Sequence, residues 1–146
     1  MPNEMAGVRH GIFRIVLRAP APLIVIAIWV LSSQSILPQP KGILGFDKLQ
    51  HLIAYCALAG SIVLWFPQKR RIFRGFWMVL PAALIASAYG IIDELHQYFV
   101  PGRDCNVWDW IADSLGAVIG AAVMTALVRR KKDWPNPVLK KQLYEK

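Results

Sequence analysis

Long apolar stretches alternate along this chain with short polar and charged ones. A helix needs about 20 apolar residues to cross a bilayer, and four stretches reach or approach that length: residues 19–37, 48–66, 76–99 and 107–128. The first is carried by the run Leu23-Ile24-Val25-Ile26-Ala27-Ile28-Trp29-Val30-Leu31. The third contains Pro81, which predicts a kink. The reading is an all-α, integral membrane four-helix bundle. The first stretch also resembles a cleaved leader, with a basic start, an apolar middle and then Ser32-Ser33-Gln34-Ser35, but no clear A-x-A site follows.

Composition supports the reading. Of 146 residues, 55% are hydrophobic and only 18% charged, with a mean hydropathy of +0.39. One soluble core of this size does not hide so much apolar surface. The net charge of +8 would suggest nucleic acid in a soluble protein. Here the basic residues sit between hydrophobic blocks, without a basic-aromatic groove pattern, so they point to topology and anionic headgroups instead. Cys56 and Cys105 form no CxxC spacing. Cys56 reads as a small core residue, and a disulfide between the two has little to recommend it.

Charge distribution orients the bundle. If the helices alternate, Arg9, Arg14, Arg18, Lys69, Arg70, Arg71, Arg74, Arg129, Arg130, Lys131, Lys132, Lys140, Lys141 and Lys146 share one side. Only Lys41, Lys48 and Arg103 fall on the other. The positive-inside rule then places both termini in the cytoplasm. The expected organisation is a basic N-terminus over 1–18, a transmembrane domain over 19–128 and a basic tail over 129–146, poorly ordered from Asp133 onward.

Acidic residues show the opposite bias. Asp47, Asp93, Glu94, Asp104, Asp109 and Asp113, with His51 and His96, gather at the predicted outer face. Asp47, His51 and Tyr55 recur every four residues and share a helical face. Asp47 is placed to cap that helix, and Tyr55 lies about 12 Å deeper at 1.5 Å per residue. Gly90, Asp93 and Gln97 share a face of the third helix, with Glu94 at its margin and His96 pointing partly away. Asp109, Asp113, Gly116 and Gly120 form one stripe on the fourth. Its small residues let another helix approach, so the carboxylates should face inward. Pro101-Gly102 makes a tight turn that returns Arg103 over the outer mouth. An ionisable group in a membrane costs about 2.5–3.5 kcal/mol on insertion scales, and persists where it has a partner, lines water or does work.

Three stretches then resemble the VanZ-like family of bacterial membrane proteins. Ile28-Trp29-Val30-Leu31-Ser32-Ser33-Gln34 is similar to the end of that family's first helix. Asp47-Lys48-Leu49-Gln50-His51 through Tyr55 matches D-K-x-x-H-x-x-x-Y. Asp93-Glu94 through Gln97 to Pro101-Gly102-Arg103 matches D-E-x-x-Q-x-x-x-P-G-R, and Asp109, Asp113 and Leu115-Gly116 match the next block. The family often carries Asn where this chain has Asp113. The resemblance implies a four-helix membrane protein whose founding member is linked to glycopeptide resistance, and it leaves the chemistry open.

Three functional readings follow. In a binding protein, Asp47, Tyr55, Gln97, Arg103 and Asp113 hold an envelope lipid, a lipid-linked cell-wall precursor or a glycopeptide-type compound, with Tyr98, Phe99, Trp108 and Trp110 as a rim. In a membrane-embedded hydrolase or transferase on such a substrate, His51, Glu94 and Asp109 are the acid–base groups and Arg103 holds a phosphate or carboxylate. A proton-coupled transporter needs a polar path, and the inner halves of the helices offer little beyond Ser61 and Thr125. Carboxylates with His51 would suit a divalent ion, but no helix carries an HxxxH or ExxH pair, so no metal and no cofactor is assigned. The expected partners are membrane lipids and, through Gly116 and Gly120, a second copy of the chain; nucleic acid is not among them.

Overall fold

Residues 15–35, 45–66 and 75–133 are described by a computed structural model, with side chains as far as Arg129. They contain four helices and no strand: α1 (Pro20–Ser32), α2 (Phe46–Val63), α3 (Phe76–Tyr98) and α4 (Val107–Asp133). A helical turn from Ile15 leads into α1. Arg9, Arg14, Lys41, Lys69, Arg70, Arg71, Arg74 and the basic side chains beyond Arg129, on which the predicted orientation rests, lie outside the described residues.

Element boundaries follow local chemistry. α1 ends at Ser32, not at 37. The hydroxyls of Ser32 and Ser33 both donate to the Trp29 carbonyl, at 3.1 and 2.7 Å, and so compete with continuation of the helix. α2 begins at Gly45, whose φ of +76° suits glycine. Asp47 therefore lies inside the first turn and makes no capping bond, contrary to the sequence expectation. α3 runs unbroken through Pro81.

Among the described residues, three helical stretches are long and apolar enough to cross a membrane: Ile15–Ser32, Phe76–Tyr98 and Val107–Arg129. α2 is not among them, because Asp47, Lys48, Gln50 and His51 crowd its first turn and a half. Packing is inverted relative to a soluble protein. Leu23, Ile26, Leu84, Ile85, Ile91, Ile92, Val118 and Ile119 are all exposed. The interior holds small residues (Ala59, Ala82, Ala86, Ala117 and Ala121) together with Asp93, Glu94, Gln97 and Asp113. An apolar exterior of this extent is stable in lipid and not in water.

α2 and α4 run parallel and form the tightest pair. A Cβ added to Gly116 would fall on the Leu52 backbone, and one on Gly120 would fall on the Cys56 backbone. Gly60 packs on Gly120 one turn further along. The stripe is thus inward-facing, as its spacing predicts. It is covered by α2 of the same chain, which does not leave it open to a second copy. Below this polar end, Tyr55, Leu58, Val63, Met78 and the alanines fill the core.

Candidate functional site

The register fixed by the glycines places the polar residues of α2 opposite those of α4. One turn above Gly116, His51 Nδ1 lies 2.9 Å from Asp113 Oδ1. One turn above that, the Lys48 ammonium donates to Asp109 Oδ1 at 3.0 Å and to Asp47 Oδ2 at 2.8 Å. The helical periodicity of both elements therefore produces a ladder of charged pairs.

α3 supplies the third wall. Gly90 passes so close to Asp113 that an added Cβ would stand 2.9 Å from Asp113 Oδ2. Beyond it, Glu94 Oε1 is 4.0 Å from His51 Nδ1, while Glu94 Oε2 accepts a bond from the Asn106 backbone N–H at 2.7 Å. Gln97 donates to Asp93 Oδ2 at 3.1 Å. Asp93, Glu94, Gln97, Asp109 and Asp113 are all buried. Asp93 Oδ1, Glu94 Oε1, Asp113 Oδ2 and the Tyr55 hydroxyl have no hydrogen-bond partner among the described residues. Orphaned buried polar atoms carry a desolvation cost of about 1–3 kcal/mol each, more for charged groups, so a cluster of them is a feature that packing alone does not explain.

α1 closes the remaining side. Val100–Arg103 form a turn with Gly102 at φ +81°, closed by the Arg103 N–H on the Val100 carbonyl. Arg103 then donates through Nε to the Gln34 carbonyl (3.0 Å) and through Nη2 to the Leu31 carbonyl (3.1 Å). It binds the C-terminal end of α1, where orphan carbonyls are expected. His96 shares a 2.9 Å hydrogen bond with the Ser33 hydroxyl and stacks on Trp29 at 4.0 Å. Tyr89 donates to the Val25 carbonyl deeper down.

Between α1, α2 and α3 these contacts enclose a cleft of about 120 Å³. Ile28, Leu31 and Ala54 make its apolar wall; Asp47, Gln50, His51, Asp93, Gln97 and Arg103 make its polar one, and Tyr55 its far end. Four of the five predicted binding residues line this cleft, and Asp113 lies behind His51. The predicted acid–base set is also brought together: His51, Glu94 and Asp109 offer ligand atoms within 4.8 Å of one another. The direct partner of His51 is Asp113, however, and Asp109 is held by Lys48.

Sequence reasoning gave Lys48, Asn106 and Ser33 no role at the site. The role of Lys48 depends on the register of α2 against α4, where Leu52 meets Gly116. The backbone N–H of Asn106 carries no side-chain signal. Cys56 and Cys105 are both free.

A protein-family model described as VanZ/LLP1 matches residues 10–129. No curated protein and no solved structure matches.

Proposed function

The chain belongs to the VanZ/LLP1 family, and from that premise we propose that it is a bacterial inner-membrane protein, both termini cytoplasmic, whose outer cleft binds the head of an envelope amphiphile. The ligand class is an envelope lipid, a lipid-linked cell-wall precursor or a glycopeptide-type compound. The observation that carries this is the mixed lining of the cleft. Ile28, Leu31 and Ala54 suit a hydrocarbon chain, and the same cleft gathers several hydrogen-bonding side chains. Arg103 is the one permanently cationic side chain of the lining, and it serves the carbonyls of Leu31 and Gln34. The carboxylates of Asp47 and Asp93 in the same lining favour hydroxyl-, amide- or amine-bearing heads over a bare phosphate.

Native mass spectrometry from mild detergent tests the proposal. A discrete amphiphile should stay bound at one per chain, and a His51→Ala, Gln97→Ala double variant should lose most of it. Retention of only the bulk phospholipid mixture, unchanged by the variant, would refute the reading.

A second reading rests on the His51–Asp113 pair with Glu94 Oε1 at 4.0 Å. An imidazole held by one carboxylate and facing another is a general acid–base arrangement. A hydrolase or transferase on the same amphiphile would return a converted lipid, and a binder an intact one.

A further inference from the structure

The polar end of the bundle buries more negative charge than its own bases answer. Asp93, Glu94, Asp109 and Asp113 are at most 7% exposed. Among the described residues, those paired with them are Lys48, divided between Asp47 and Asp109, and His51. Buried carboxylates are retained when paired or when they coordinate a metal.

The geometry adds a second, independent indication. Glu94 Oε1 is buried, has no hydrogen-bond partner and lies 4.0 Å from His51 Nδ1. Asp113 Oδ1 is 2.9 Å from the same nitrogen, and the other Asp113 oxygen is also buried and unpartnered. Two ligands each about 2.0–2.2 Å from one ion stand no more than about 4.4 Å apart, so both separations are ones a single cation spans. An Asp109 oxygen joins His51 and Glu94 within 4.8 Å, so closing the three around one ion draws them together by no more than about 0.4 Å.

We propose that His51, Glu94 and Asp109 form a binding site for a divalent cation of the Zn2+ or Mn2+ type, the ion taking the place of the proton that His51 Nδ1 shares with Asp113. One imidazole among carboxylates suits these borderline ions, whereas Mg2+ and Ca2+ favour all-oxygen sets. The three ligands come from α2, α3 and α4, so the ion ties together the helices that the glycines bring close. Lys48 is its built-in rival, because the ammonium occupies Asp109 at 3.0 Å. His51 also lines the cleft beside α1, but Lys48, Glu94 and Asp109 do not, so changes at those three probe the ion without altering the cleft's lining.

Full-length protein in detergent, carrying Cys56→Ser and Cys105→Ser to remove thiol binding, is stripped with chelator. It is then titrated separately with Zn2+ and Mn2+ by calorimetry, with elemental analysis of the loaded protein. One ion per chain should bind. Glu94→Gln and Asp109→Asn should each weaken binding at least about tenfold, by analogy with the loss seen even for outer-shell partners. Lys48→Met keeps every ligand and should tighten binding, an effect opposite to that of removing a merely structural ion pair. Circular dichroism confirms that each variant is folded; should the carboxamide variants fail to fold, Lys48→Met decides alone. Absence of saturable binding of both ions, or a Lys48→Met variant that binds no tighter than the parent, would overturn the proposal.

Discussion

At the scale of single residues, glycines govern the geometry of the site. In a solvent-exposed helix, Gly→Ala gains about 1 kcal/mol. At Gly116 and Gly120 the new methyl would fall on backbone atoms of α2, which cannot rotate away. Overpacking of this kind costs about 1–3 kcal/mol and sometimes more, and it outweighs the propensity. Gly120→Ala should therefore lower the melting temperature of the detergent-solubilised protein clearly. Gly45→Ala meets no atom within 4 Å and pays only for its φ of +76°, about 1–2 kcal/mol. Thermal denaturation followed by tryptophan fluorescence should rank Gly120→Ala as the more damaging.

At the scale of elements, α1 stands apart from the other three. α2, α3 and α4 meet through glycines and buried carboxylates. α1 adds Ile24, Val25 and Ile28 to the core and is tied by a few polar links: Tyr89 to Val25, Arg103 to Leu31 and Gln34, and His96 to Ser33. Two of these rely on side-chain donors that a conservative change removes or weakens. A Tyr89→Phe, Arg103→Lys double variant loses one hydroxyl and the forked geometry of the guanidinium, at about 0.5–1.5 kcal/mol per lost bond. Hydrogen exchange should speed up over residues 25–34 and stay unchanged over α4. Equal acceleration in all four helices would show that α1 is not the separate element it looks to be.

The same scale shows what was legible in the sequence. The four helices could be read from apolar run length. The inward stripe of α4 could be read because Asp109, Asp113, Gly116 and Gly120 recur at helical spacing. The early end of α1 was not, since it depends on two serine hydroxyls turning back to one carbonyl. Nor was the partner choice at the site: four-residue spacing places Asp109 and Asp113 on one face, but only the register with α2 decides that Lys48 takes the first and His51 the second. Side-chain spacing within a helix says nothing of the offset between helices.

For the whole molecule, the apolar exterior makes it a membrane protein, and its orientation can be measured. The proposed orientation, with both termini cytoplasmic, turns the loop carrying Cys105 outward. Cys105 is exposed and Cys56 is half-buried in α2. A membrane-impermeant maleimide applied to intact spheroplasts should label Cys105 and spare a Cys105→Ser variant. Labelling that appears only after lysis would reverse the topology.

Gly116 and Gly120 carry a further consequence. Sliding α4 along α2 by one turn would move it about 5.4 Å and separate Asp113 from His51. The two glycines act as a detent, a pair of notches that holds the helices at a single setting. The spacing of the charged pairs is thus written in positions that possess no functional group at all. A search for important residues guided by chemical reactivity would pass over them, whereas a search guided by intolerance to a single added carbon would stop there first.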